Sequence, residues 1–414
     1  MSKKTEKAFY QELFEKFVPN LVIESIEKTQ GTEKGDNYTS VLDSVTLKGI
    51  VKNGNTITEW KRAVFCKRLP ESVARRETYK SIGLFHNEIA FYKNIYPEFK
   101  KYQQEFNVEP GKTFIALPKC YYAEDNILVL ADLRDDGFKM QNRIRGLSID
   151  ELKGVFSELA KFHGLSLAMK YNQPERFKKL RDQISEGIFR PEYKEWYKTY
   201  YGKLTKNAVQ MVSEGIPDQP KYIEKIQDFT KNFFDDFTSF ISKETPLSVL
   251  CHGDCWTNNI LFSYKSPTEI KQTCFIDFQL MRYGSLTLDV VYALYLSLPS
   301  TLRKTHKSEV IRFYYENLVA QLKMYGPIPR ELVSEENLWT LLQQDLQSFS
   351  KFSLYTGMDM IPILTCQGED APDCYEAEEE NEVTEAPELG IPINSLCQQK
   401  MIELVVELTD AGLL

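Results

Sequence analysis

Three residues in the second half of the chain have side chains and spacing suited to holding a phosphate and a hydroxyl in line. Asp254 and Asn259 stand five apart in LCHGDCWTNNILF, residues 250–262, between two apolar runs. Eighteen residues after Asn259, FIDFQ places Asp277 at the end of a third apolar run. Phosphoryl transfer needs charge stabilisation and alignment more than covalent chemistry. A loop carboxylate, here Asp254, orients the attacking hydroxyl and accepts its proton. Asn259 and Asp277 then supply hard oxygen ligands for Mg²⁺ against the phosphates. Taken singly, Asp and Asn in loops are ordinary turn formers. The signal lies in the joint order His252, Gly253, Asp254, Asn259, Asp277.

The first half offers a cation for the same phosphates. AVFCKRLP puts Lys67 directly after the apolar run Ala63–Cys66. A lysine at a strand end can pair with the α- and β-phosphates, and Glu88, in FHNEIAFY on the next helix, can hold it in place. An exposed Lys and Glu usually form only a solvated pair, but the strand-then-helix placement favours the buried role. Lys61, Arg62 and Arg68 compete with Lys67, and Glu77 competes more weakly with Glu88. His163, in LAKFHGLS, reads as a structural helical histidine, and His252 as a brace of its own loop. Cys251 and Cys255 are four apart with no second pair to complete a zinc site, so zinc is not expected.

These residues must be positioned by two kinds of structure. Residues 5–18 read as a short amphipathic helix. Val22–Thr29, Ser40–Val51 and Glu59–Arg68 read as strands, with turns at Gly31–Asn37 and Asn53-Gly54-Asn55. A helix is expected over Ala74–Ile95, then strands over Thr113–Tyr121 and Asn126–Leu133. After about residue 135 the pattern becomes helical, beginning with Ile149–Met169. Several helices follow over 175–243. Short strands return at Ser248–Cys251, Ile260–Ser263 and Thr273–Phe278, and a last helix spans Asn394–Ala411. The class is α+β, a small antiparallel sheet followed by a larger helical part, divided into 1–135 and 136–414.

Composition bounds the rest. The 414 residues are 42% apolar, 27% charged and 13% aromatic, which is ordinary for a globular protein. A net charge of -8 repels phosphate backbones, so nucleic acid is not expected as a partner. No signal peptide or membrane-length apolar run is evident, which points to the cytoplasm and away from membranes. The eight cysteines form no regular framework and read as reduced thiols. Gln367–Leu389 carries ten acidic residues and no Lys or Arg, and is expected to be a solvated mobile loop.

HGDCWTNNILF together with FIDFQ resembles the ecdysteroid kinase-like family of insects, which is similar to choline kinases and aminoglycoside phosphotransferases. Trp256 and Gln279 fit that family's pattern, and the resemblance runs from about residue 20 to the final helix. It implies a protein-kinase-like two-lobed fold. It also implies ATP and Mg²⁺ as cofactors and a small-molecule alcohol, a steroid among the candidates, as the acceptor. In that frame residues 1–135 are the nucleotide-binding lobe and 136–414 the catalytic and substrate lobe. Gly35, Asn37 and Ser40 belong to a loop whose amides cover the phosphates. ILVLADL resembles the segment joining the lobes, where Asp132 either touches nucleotide or caps the next turn. Asp289 matches a position that supports the catalytic loop. The aromatics Phe189, Tyr193, Trp196, Tyr197, Tyr200 and Tyr201 read either as core or as an acceptor lining suited to a flat apolar molecule. Two other readings stand beside this one. One is a catalytically silent carrier of a hydrophobic ligand, against which the full residue set argues. The other is a protein kinase, against which the 11 residues between Asp277 and Asp289 argue, being too few for an activation segment.

Overall fold

The structure, a computed structural model, describes residues 3–31, 40–78, 80–124, 126–332, 334–367 and 392–414. Its first part is a five-stranded antiparallel sheet in the order β1-β2-β3-β5-β4. The strands are β1 (Leu21–Gln30), β2 (Val41–Asn53), β3 (Thr56–Arg68), β4 (Cys120–Glu124) and β5 (Ile127–Ala131). The β2–β3 hairpin turns at Gly54, whose φ of 60° favours a residue without a Cβ.

The two-residue period of a strand sorts the side chains of β3. Val64 and Cys66 join a small core with Tyr10, Leu13 and Phe14 of helix α1 (Lys3–Glu15). Phe65 and Lys67 face the other way, into a cleft. Because β3 is central, paired with β2 and β5, Lys67 stands opposite Leu42 and Leu128 and is buried.

Helices α2 (Val73–Thr78), α3 (Ser81–Ala90) and α4 (Tyr96–Glu105) follow, with a π-helical turn at Phe91–Ile95. The single helix expected over 74–95 is therefore broken near its start, where Lys80 adopts a left-handed φ of 53°. The strand expected over Thr113–Tyr121 is displaced as well, since β4 begins only at Cys120. The backbone ahead of it is used elsewhere. The Phe114 N–H donates to the Gln103 side chain at 2.6 Å, and Ala116 accepts from the Phe275 N–H at 2.8 Å. Pro118 has no N–H to give a ladder.

The second part is mostly helical. It contains α5 (Ile149–Asn172), α6 (Pro174–Arg181), α7 (Lys194–Gly215), α8 (Pro220–Thr230), α9 (Phe233–Ile241), α10 (Thr287–Ser297), α11 (Ser300–Leu322), α12 (Glu335–Phe349), α13 (Phe352–Thr365) and α14 (Ser395–Asp410). Ser148 and Glu151 form a capping box that starts α5, so its long apolar face enters the core in register. Two small sheets sit among the helices. One pairs β7 (Ser248–Cys251) with β10 (Arg282–Ser285), and the other orders β6 (Lys139–Met140), β8 (Ile260–Tyr264) and β9 (Ile270–Phe275) as β6-β8-β9. The antiparallel sheet followed by a helical part is the α+β arrangement that the sequence implied. Among the described residues no helix is long and apolar enough to cross a membrane. The acidic run expected over 367–389 lies outside the described residues apart from Gln367.

Candidate active site

Lys67 meets two carboxylates. Its Nζ donates to Glu88 Oε2 at 2.7 Å and to Asp277 Oδ1 at 2.9 Å. Glu88 reaches it because Leu84, Phe85 and Glu88 share the buried face of α3. The other Glu88 oxygen accepts the Phe278 N–H at 3.3 Å. Burial alone would lower the lysine's pKa, but Asp277 and Glu88 more than offset it, and Lys67 stays charged. Burial pushes Glu88 upward, and the Lys67 ammonium opposes that shift. With an ammonium and an N–H both bonded to it, we treat Glu88 as ionised. Asp277 itself lies two residues beyond the end of β9, in a left-handed conformation with φ 66°. Phe278 anchors the turn by stacking on Phe91, with centroids 3.8 Å apart.

The loop after β7 is held from behind by Asp289, in the first turn of α10. One of its oxygens accepts the Gly253 N–H at 2.8 Å, and the other accepts the His252 N–H at 2.7 Å. His163 on α5 adds a third contact at 3.0 Å, while its other ring nitrogen meets the Tyr314 hydroxyl at 2.8 Å. Burial would raise Asp289, but these donors hold its carboxyl below the usual range. His252 braces the loop from inside. Its Nδ1 accepts the Asp254 N–H at 3.2 Å, which leaves Nε2 to donate to the Ile276 carbonyl at 3.0 Å. Burial lowers its pKa, so the ring is neutral. Gly253 permits the turn, with φ 87° and the Leu280 carbonyl oxygen 1.9 Å from where a Cβ would stand.

Asp254 projects from this loop, half-buried. Its Oδ1 accepts the Tyr292 hydroxyl at 2.6 Å and its Oδ2 accepts Asn259 Nδ2 at 2.7 Å. The Trp256 indole N–H is close enough to favour the charged carboxylate but falls short of good hydrogen-bond geometry. Burial dominates and raises the Asp254 pKa to about 7, against the pull of those donors and with the help of Asp277. Asn259 also donates to the Asp254 carbonyl at 3.0 Å. Its amide nitrogen is thus committed to Asp254, and its carbonyl oxygen is free of that bond.

Lys67, Glu88, Asn259 and Asp277 line one cleft of about 360 Å³ between the sheet and the helical part. Apolar walls come from Phe65, Leu130, Met140, Leu261 and Ile276, a slab that suits a flat base. The hard oxygens of Asn259 and Asp277 fit magnesium, which takes one or two protein ligands and completes its shell with phosphates and water. Among the described residues no cluster of three or more His, Cys, Asp or Glu is arranged to hold a metal. Asp132 also lines the cleft, but its carboxylate is occupied as a turn cap. It accepts the Arg134 N–H at 2.9 Å and pairs with the Arg134 guanidinium. Ser40 is buried just ahead of β2 and is not among the residues lining the cleft. Gly35 and Asn37 lie outside the described residues. A larger hollow of about 570 Å³, beside Asp228, Phe240 and Ser348, contains none of these residues.

Of the six aromatics singled out in the sequence, Tyr197, Tyr200 and Tyr201 on α7 are buried. Tyr201 stacks on Phe233 at 3.7 Å and Trp196 stacks on Tyr200 at 5.2 Å. Sequence reasoning missed Tyr292. Its only signal was its place three residues after Asp289, on the same face of a mostly apolar helix that is buried along its whole length.

The chain belongs to the ecdysteroid kinase-like family, which it matches over residues 34–326. No curated protein matches it. Solved structures similar to it include the choline kinase LicA from Streptococcus pneumoniae, at 12% identity over 98% of this chain and 100% of that one, with a TM-score of 0.35. Another is the streptomycin-ATP-APH(2")-IIa ternary complex, at 12% identity over 86% of this chain and 96% of that one, with a TM-score of 0.32.

Proposed function

We propose that this protein transfers the γ-phosphoryl group of ATP to a hydroxyl of a small apolar alcohol, an ecdysteroid or a related compound, in the cytoplasm. The observation that carries this reading is the cluster Lys67–Glu88–Asp277, with Asn259 lining the same cleft and bonded to Asp254. Residues 1–135 act as the nucleotide lobe and 136–414 as the catalytic and substrate lobe. Lys67, held by Glu88, pairs with the α- and β-phosphates. Gly35, Asn37 and Ser40 belong to the loop that covers the phosphates, and Asp132 borders the base. Magnesium held by Asn259 and Asp277 would neutralise charge on the transferring group. Asp254 aligns the acceptor hydroxyl and takes its proton as the new bond to phosphorus forms. With a pKa near neutrality, Asp254 is basic enough for that task and still ionised in much of the population at pH 7.

The test is a screen of hydroxylated steroids and plant-derived alcohols with ATP and Mg²⁺, read by mass spectrometry for phosphate esters. The expected outcome is a monoester whose formation stops when magnesium is chelated. Retention of these alcohols without any ester would instead support a silent carrier.

A further inference from the structure

We propose that the acceptor site has a second recognition point, the Asp359–Tyr200 pair, which selects acceptors bearing a second hydrogen-bond donor apart from the hydroxyl that is phosphorylated. The location of that second point relative to the reaction rests on the kinase reading above.

Asp359 lies on α13 and is half-buried. The Tyr200 hydroxyl donates to its Oδ1 at 2.5 Å. Among the described residues no other donor reaches it and no Lys, Arg or His pairs with it, so Oδ2 keeps its full accepting capacity. A half-buried carboxylate without a cation loses part of its hydration and is favoured by a group that donates to it. Burial accordingly raises the Asp359 pKa, with the Tyr200 hydrogen bond opposing. Its surroundings are aromatic. Around Tyr200, the Tyr201 ring lies 5.5 Å away and the Trp196 ring 5.2 Å away.

Tyr292 connects this pair to the chemistry. It donates to Asp254 at 2.6 Å. Helix α10, which carries Tyr292, packs on α13, which carries Asp359, and the Tyr292 ring lies 6.2 Å from that of Phe352, two turns before Asp359 on α13. Trp196, half-buried and stacked on Tyr200, adds a flat face. The site thus offers aromatic surface and one carboxylate oxygen that, among the described residues, no protein donor reaches. An ionised carboxylate can only accept, so it favours a hydroxyl or a protonated amine and disfavours a ketone.

The bland alternative is a tie between α7 and α13, and one substitution separates the two. Asp359→Asn preserves that tie, because its carbonyl oxygen can take the Tyr200 hydroxyl. Its NH₂ then replaces the free oxygen and turns an acceptor into a donor. Tyr200→Phe does the reverse, loosening the tie while keeping the carboxylate.

The probes are one steroid scaffold in four forms: a mono-alcohol, and the same molecule with a second hydroxyl, an amine or a ketone. Binding is measured by equilibrium dialysis with full-length protein and a non-hydrolysable ATP analogue, and phosphate transfer is followed separately. The parent should prefer the diol or amino alcohol over the mono-alcohol by about 10–100-fold, the range for a hydrogen bond to a charged group. Salt-sensitive preference identifies the amine as the matching donor, and salt-insensitive preference identifies the hydroxyl. Asp359→Asn should abolish the preference or turn it toward the ketone, while Tyr200→Phe should retain it. Equal binding of mono-alcohol and diol by the parent overturns the proposal. So does unchanged selectivity in Asp359→Asn, or no binding of any probe. Selective binding without transfer would refute the kinase reading and leave this one standing. Transfer without selectivity would do the opposite.

Discussion

Lys67 and Asp277 stand 210 positions apart in the chain, and Nζ and Oδ1 are 2.9 Å apart in the fold. That contact joins the central strand of the sheet to the turn after β9. The lysine is 6% exposed, and Glu88, on its other side, is 1% exposed. Removing the ammonium would strand two carboxylates, one of them fully enclosed.

Lys67→Met should therefore destabilise the protein by about 3–5 kcal/mol, the usual cost of breaking a buried pair from one side. Urea unfolding measures this. Adding Glu88→Gln should restore part of the loss without restoring activity. A single mutant as stable as the parent would show that the charges do not support the fold.

Asp277→Ala should abolish turnover while the protein stays folded. Calorimetry should show that ATP binding no longer strengthens when magnesium is added, since Asn259 alone is left to hold the ion. Magnesium-dependent binding equal to the parent's would remove Asp277 from the metal site.

For Asp254→Asn we expect near-normal ATP affinity and turnover lowered by about 10²–10⁴-fold, the range for losing a general base. Stability should move the other way. The folded-state pKa of Asp254, about 7, lies above its ordinary value of 3.8, so ionisation is disfavoured in the folded protein. That penalty is absent below the unfolded pKa, grows as pH rises between the two values, and is complete above 7. The amide cannot ionise, so the mutant should melt higher than the parent at pH 8 and lose that advantage toward pH 4. A lower melting temperature at pH 8, or unchanged turnover, contradicts the assignment.

The parent's kcat/KM should rise with pH through about 7 and then level, because the base must be deprotonated. Tyr292→Phe removes one donor to the carboxylate, which raises the Asp254 pKa further and moves this limb to higher pH. A rate profile whose limb stays in place in the mutant would mean that the hydroxyl does not tune the base.

Much of the candidate site is legible in the sequence. Lys67 follows four apolar residues because it sits on a central strand, and Glu88 has helical spacing from the apolar Leu84. The loop after β7 stood out through the order of its side chains. Local breaks did not. Nothing in TYKSIGL announces that Lys80 turns left-handed and splits the helix. Nor does Thr113–Tyr121 reveal that its backbone groups bond to Gln103 and Phe275. Asp359 was invisible for a different reason. Its partner Tyr200 is 159 residues away, and although Tyr200 stands in the aromatic run of α7, no spacing pattern points from that run to Asp359.

The grip of Asp289 on the His252 and Gly253 amides has a consequence for time as well as shape. Both N–H groups end on one carboxylate in the buried first turn of α10, itself tied to His163. They can exchange their hydrogens with solvent only when that whole assembly opens, so they should be among the most slowly exchanging amides in the chain. A loop this stiff does not have to order itself before each catalytic cycle. The molecule's slow events are then expected in the arrival and departure of its ligands, and heating or denaturant should silence Asp254 only when the helical core itself gives way.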